Sequence, residues 1–191
     1  RGRSEEARAS LERIQGLTAR MAELIGHLKR FARRPASTLE PVDLKAVVEG
    51  ALSLFAQRID EEQVEVRLAF PEGSVMVEAE EIRLEQVIVN LVSNALDALR
   101  GREERRIEIS VQAKDGRVLL RVSDTGAGID AAAREAIFDP FFTTKPVGLG
   151  LGLGLSMSYN IVKDFGGALS LAETGPDGTT FVVDLAAAGR A

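Results

Sequence analysis

A proline at position 35 separates two stretches of this chain that carry different hydrophobic periods, so no single element can span both. Before it, Leu11, Ile14, Thr18, Met21, Ile25 and Leu28 recur in steps of three and four, and Leu17, Leu24 and Phe31 widen the stripe on one side. That spacing predicts one long helix over residues 4–34. A lone helix of this kind is marginal in water, so its apolar stripe needs a partner. Pro35 ends the helix, and residues 35–41, closed by Pro41, read as a hinge.

Beyond the hinge the pattern mixes both periods. Asp43 is placed to cap a helix carrying Leu44, Val47, Val48, Ala51 and Phe55 on one face. Val64, Val66, Leu68 and Phe70 alternate as a strand, and Val75 and Val77 mark a short second one. A long helix is expected over residues 80–99. Ile107, Ile109 and Val111 then face Val118, Leu120 and Val122 in a predicted hairpin turned by Asp115-Gly116. Residues 125–152 are glycine-rich and loop-like, and a helix over 154–165 with strands near 169–171 and 181–185 completes the pattern. Strands and helices without regular βαβ alternation predict the α+β class, as a two-layer α/β sandwich with helices on one face. The folded domain is expected over residues 42–186, with 187–191 as a loose tail.

Charge and composition narrow the function. The net charge of −5, from 24 basic and 29 acidic residues, argues against a broad nucleic-acid surface. There is no cysteine, which excludes disulfides and thiolate metal sites. No apolar run is long enough to cross a bilayer. The chain opens on Arg1 rather than Met and is expected to be part of a longer protein.

Four segments carry chemistry. On the helix expected over 80–99, Asn90, Asn94 and Asp97 fall at i, i+4 and i+7 and line one stripe. A solvated face would favour Glu, Lys and Arg, whereas Asn and Asp are poor helix formers. Amide oxygens beside a carboxylate suit a hard cation such as Mg²⁺. The second segment, Asp124-Thr125-Gly126-Ala127-Gly128-Ile129, follows a strand end. It is either a turn or a fixed carboxylate able to accept from an exocyclic amine such as that of adenine. The third, Gly148-Leu149-Gly150-Leu151-Gly152-Leu153-Gly154, enters a helix. Exposed backbone N–H groups and the positive end of a helix dipole suit a triphosphate, although a flexible loop has the same composition. No Walker A sequence exists, because Gly-Lys occurs nowhere in the chain. Between the second and third segments, Phe138-Asp139-Pro140-Phe141-Phe142-Thr143-Thr144-Lys145-Pro146 holds three of the eight phenylalanines. It reads as an aromatic-anchored lid that leaves Lys145 free to meet phosphate, and in part as a core plug.

In order and spacing these segments resemble the N, G1, F and G2 boxes of sensor histidine kinases, whose Bergerat-type ATP-binding fold is shared with DNA gyrase and MutL. Phe-Phe-Thr-Thr-Lys-Pro and Val-Lys-Asp-Phe-Gly-Gly are similar in style to nitrogen-regulation and dicarboxylate-transport sensors. The resemblance implies ATP and Mg²⁺ as cofactors and transfer of the γ-phosphate to a histidine. It implies that Asp124 accepts from the adenine amino group with help from Thr179, in a site shared by Gly126, Gly128 and Ile129. Asn94 would coordinate Mg²⁺, and Asn90 would be catalytic, positioning metal, water or γ-phosphate. Phe138, Thr144 and Lys145 would belong to the lid, and Gly148, Gly150, Leu151, Gly152, Leu153 and Gly154 would wrap the phosphates. Ala127 departs from the proline of many relatives, and the role of Asp97 stays open.

The chain has one histidine, His27, in Gly26-His27-Leu28-Lys29-Arg30. It lacks the adjacent acid of the phosphoacceptor motif and falls outside the apolar stripe, so it reads as a surface residue. Residues 1–34 resemble the second helix of a dimerisation hairpin. The resemblance therefore implies an acceptor on an upstream helix, absent from this chain. It further implies a homodimeric, membrane-anchored parent, a cytoplasmic location for this domain, a response-regulator receiver domain as partner, and no nucleic acid. Two other readings stay open: a nucleotide-sensing module without transfer, and a gyrase- or MutL-like ATPase. The last would require a glutamate to activate water where Asn90 stands.

Overall fold

The computed structural model of the protein describes residues 38–145 and 151–189. The helix expected over 4–34, His27, Gly148 and Gly150 lie outside the described residues. The chain divides between Ser37 and Thr38 into two units, and the second carries everything below.

Strand β1 (Glu40–Asp43) leads directly into helix α1 (Leu44–Ser53), where Asp43 accepts from the Lys45 N–H at 3.0 Å as the N-cap. A short helix α2 (Ala56–Glu61) and strands β2 (Glu65–Ala69) and β3 (Met76–Ala79) follow. The long helix α3 (Glu81–Ala98) precedes the hairpin β4 (Arg106–Lys114) and β5 (Arg117–Asp124). Helix α4 (Gly154–Asp164) and strands β6 (Ala168–Gly175) and β7 (Gly178–Ala186) end the fold. The main sheet has the order β2-β4-β5-β7-β6, with β2 parallel to β4 and the other pairs antiparallel.

Period-two burial orients this sheet. Ile107 and Ile109, Val118, Leu120 and Val122, and Phe181, Val183 and Leu185 are buried, while Glu108, Gln112, Leu119 and Arg121 alternate outward. The buried face meets α3, whose Leu84, Ile88, Leu91 and Ala95 are sealed. Helices α1 and α4 flank α3 and complete the second layer, so the two-layer sandwich expected from the sequence is what forms. Each large aliphatic side chain so buried contributes about 1.5–3 kcal/mol of transfer free energy. In the β4–β5 turn Asp115 and Gly116 have φ of 52° and 73°, the left-handed pair that a two-residue hairpin demands.

Two boundaries differ from the sequence reading. The hinge was expected to run to Pro41, yet Glu40 and Pro41 already pair with Ala79 and Glu78 in a two-stranded sheet. Nor are residues 187–191 loose from their start. Ala187 bridges to Val77 and donates to the Gly116 carbonyl at 2.9 Å, and Ala188 donates to the Met76 carbonyl at 2.9 Å. Backbone groups that pair with a sheet need no apolar side chain to hold them.

Candidate functional site

Asp124 is the last residue of β5 and lies in register with Thr179 of β7. Its Oδ1 accepts from the Gly126 N–H at 2.8 Å. Burial pushes its carboxyl up to about 6, against the opposing pull of the Gly126 and Thr179 backbone N–H groups. No cation pairs with it among the described residues. A partly buried carboxylate held only by backbone donors keeps acceptor capacity for a further N–H group.

The loop after Asp124 is tied down along its length. Thr125 N donates to the Arg106 carbonyl at 3.1 Å, and Ala127 N to the Ala98 carbonyl at the end of α3 at 3.3 Å. A proline at 127 could not make the second bond, so the alanine compensates for the stiffness it gives up. Ile129 N donates to Thr174 Oγ1 at 2.7 Å, and that hydroxyl lies 3.2 Å from the buried Thr179 Oγ1. Arg102 reaches from the end of α3 to the carbonyls of Thr125 at 3.3 Å and Pro176 at 2.9 Å. At Gly126 a Cβ would stand 2.6 Å from both the Ala98 Cβ and Asp124 Oδ1. The close neighbour that requires glycine at 126 is the protein's own α3.

Along α3, Asn90 Nδ2 donates to Ser158 Oγ on α4 at 3.0 Å, which fixes the amide between the two helices. A Cβ at Gly154 would collide with Asn90 Oδ1, so glycine there lets the start of α4 come against that oxygen. Asn94 and Asp97 both face Lys145. Lys145 Nζ lies 2.6 Å from Asp97 Oδ2 and 3.4 Å from Asn94 Oδ1, which corrects the expectation of a lysine free to meet phosphate. Asp97 Oδ1 accepts from Arg58 Nη2 at 2.8 Å, with Arg100 Nη2 at 3.3 Å. Burial pushes the Asp97 carboxyl up, but hydrogen bonds from Lys145 and Arg58 outweigh it and leave it below its ordinary value.

The phenylalanine segment divides its roles. Phe138 stacks on Tyr159 of α4 with ring centroids 5.4 Å apart and meets Phe181 of β7 edge-on at 6.4 Å. Phe142 packs on the core, whereas Phe141 is exposed with φ of 69°. Thr144 is exposed, Leu151 half-buried, and Leu153 buried beside the start of α4. A Cβ at Gly152 would run into the backbone of Phe141 and Phe142, so the last part of the glycine run is fitted to the lid.

Two corners thus form: Asp124, Gly126, Gly128, Ile129 and Thr179 at one, and Asn90, Asn94, Lys145 and Gly154 at the other. Helix α3 joins them through the Ala98–Ala127 bond. Sequence reasoning missed Ser158, Thr174 and Arg58, because each acts through a partner 39 or more residues away or through another hydroxyl. Among the described residues no three acidic or histidine side chains converge to cage a metal. A cation here would rest on amide oxygens and on a ligand's own phosphates, the pattern of Mg²⁺ sites.

Residues 79–189, which include every described member of both corners, match the family described as histidine kinase-, DNA gyrase B- and HSP90-like ATPases. The chain belongs to this ATPase family. The C4-dicarboxylate transport sensor protein DctB of Rhizobium meliloti (strain 1021) is 41% identical over 185 residues. The match covers 97% of this chain but 29% of DctB, so the chain spans under a third of that relative's length. The catalytic domain of histidine kinase ThkA shares 30% identity at a TM-score of 0.70, covering 78% of this chain and 96% of that one. ThkA in complex with response regulator protein TrrA gives a TM-score of 0.74 at 25% identity, covering 92% and 49%. The ATPase domain described here is therefore of the histidine-kinase type, and ATP is the ligand that its family implies. No helix among its described residues is long and apolar enough to cross a membrane.

Proposed function

We propose that this ATPase domain transfers the γ-phosphate of ATP to a histidine on a helix upstream of residue 1 in its parent protein. The observation that carries the reading is Asp124, a partly buried carboxylate with backbone donors only, opposite Thr179 and joined by α3 to the Asn90–Asn94 stripe. Asp124 and Thr179 hold the adenine edge through the exocyclic amine. Asn94 Oδ1 supplies an amide oxygen to Mg²⁺, and Asn90, locked by Ser158, orients the γ-phosphate end. Gly152, Leu153 and Gly154 present backbone N–H groups at the start of α4 to the phosphates. Mg²⁺-ATP supplies the transferable phosphoryl group and neutralises its charge; the domain supplies position. An amide at 90 cannot take a proton from water, which favours transfer over a gyrase-like hydrolysis.

The remaining parts of the reading draw their support from the relatives. ThkA binds a response regulator, and the sensor relatives are much longer than this chain. In this reading the parent is a dimeric, membrane-anchored sensor that carries this domain in the cytoplasm and passes phosphate to a receiver domain.

The test is transfer in two pieces. Incubated alone with radiolabelled ATP, the chain should remain unlabelled, since His27 lacks the acidic neighbour of an acceptor. Mixed with the parent's upstream helical hairpin as a separate polypeptide, it should place acid-labile label on that hairpin. Label on the chain alone that disappears in His27→Gln would overturn this assignment. The metal role has its own check. Asn94→Ala should largely abolish the gain in ATP-analogue affinity that Mg²⁺ confers, while changing affinity in EDTA by less than about threefold. Identical Mg²⁺ titrations of the two proteins would remove Asn94 from the metal site.

A further inference from the structure

Asp97 is the one carboxylate on the α3 stripe, and three cations surround it. Arg58 and Arg100 approach Oδ1 at 2.8 and 3.3 Å, which leaves Oδ2 to Lys145 at 2.6 Å. The side chains of Asp97 and Lys145 are 22% and 34% exposed, so the pair is substantially withdrawn from water. In this position the ammonium group also lies 3.4 Å from Asn94 Oδ1. That amide oxygen therefore already faces a cation, and the cation is part of the chain.

We propose that Lys145 is a built-in counter-cation for the Asn94 corner: Asp97 parks its ammonium group against the oxygen a divalent cation would use, so a metal–nucleotide can load fully only when Lys145 leaves. The inference rests on the reading of Asn94 as a metal ligand. An ammonium ion and a divalent cation cannot share one amide oxygen without strong repulsion in a half-buried setting. Lys145 belongs to the phenylalanine segment, whose Phe138 is anchored on Tyr159 and Phe181. Departure from Asp97 frees its charge for phosphate while the anchor stays in place. Asp97 is thus a positioning residue, and Arg58, bonded also to Glu62 at 2.8 Å, holds Asp97 from behind. Loading of the metal and the position of the lid lysine become one exchange of cations.

The experiment compares the affinity of the whole chain for AMPPNP in Mg²⁺ and in EDTA, the ratio being the metal enhancement. Lys145→Met should raise the enhancement at least fivefold over wild type, and Lys145→Gln should agree if the methionine variant folds poorly. Arg100→Met removes the same charge from the same carboxylate without touching Asn94, and should stay within twofold of wild type. Asp97→Asn gives the sharper result. Loss of a negative charge should weaken metal binding by simple electrostatics, whereas unparking Lys145 should raise the enhancement. Equal effects of Lys145→Met and Arg100→Met, or an enhancement in Asp97→Asn below wild type, would overturn the proposal. If Asn94→Ala loses the enhancement while Lys145→Met matches wild type, the cation exchange fails and the metal assignment survives. If Asn94→Ala keeps the enhancement, the metal assignment itself fails and the proposal falls with it.

Discussion

Asp124→Asn is expected to bind ATP and ADP some ten- to a hundredfold more weakly than the wild-type domain, the loss of one charge-assisted hydrogen bond worth roughly 1.5–3 kcal/mol. The same substitution should remove a pH dependence. With its carboxyl pushed up to about 6 by burial, Asp124 is ionised at neutral pH but protonated in mild acid. Nucleotide affinity of the wild type should therefore fall as pH drops below about 6, more steeply than that of Asp124→Asn, which keeps only the titration of the nucleotide's own phosphate. Stability moves the other way. Between the ordinary carboxylate value of 3.8 and about 6, the folded protein holds a proton that the unfolded chain has released. Stability therefore declines as pH rises through that window, and the cost is complete above it. Raising the carboxyl from 3.8 to about 6 sets that cost on the order of 3 kcal/mol. Calorimetric binding and thermal melts from pH 4.5 to 8 read both halves. Parallel pH profiles for wild type and Asp124→Asn would exclude Asp124 from the adenine corner.

Leu91→Ala should do the reverse, costing stability without costing the site. Leu91 is 1% exposed on the inner face of α3, one position from Asn90 but turned toward the sheet. Truncating a sealed leucine removes its transfer free energy and leaves a cavity, together about 2–5 kcal/mol. The melting temperature should drop by several degrees or more, while nucleotide affinity measured well below the transition changes less than about threefold. Stability unchanged within about 0.5 kcal/mol would mean that α3 is not the central strut of the helical layer.

These two residues also show what the sequence made legible. Leu91 was readable because its neighbours at steps of three and four are apolar, and Asp124 because a strand pattern ends on it and glycines follow. The β4–β5 hairpin was readable for the same local reason, its Asp115-Gly116 turn being chemically specific. Helix α2 buries no residue and so leaves no periodic trace. Strand β1 is four residues long and gains its partner only through β3, more than thirty positions away. The clamp on Asp97 was illegible for a related reason, since Arg58 and Lys145 lie 39 and 48 positions from it. Local pattern reveals which faces are apolar; it does not reveal which polar groups meet once those faces are packed. The expectation of a free Lys145 failed on this point.

Strand β3 has β1 on one side and Ala187 on the other, so the chain enters and leaves the domain on adjacent ribbons of one small sheet. Both ribbons run antiparallel to β3, so Val42 and Ala187 flank Val77 with about 10 Å between them, while residues 38 and 189 lie toward opposite ends of the sheet. A unit whose entry and exit share one small sheet behaves as a cassette. It can be spliced between unrelated modules, or its ends joined and new ones cut elsewhere, without disturbing the interior. A circular permutant that links residue 189 to residue 38 through a glycine-serine bridge long enough to run the length of β3, and opens at Gly73 in the exposed β2–β3 turn, should fold and bind nucleotide as the unpermuted domain does. Both corners of the site hang from α3 and β5, which neither splice interrupts.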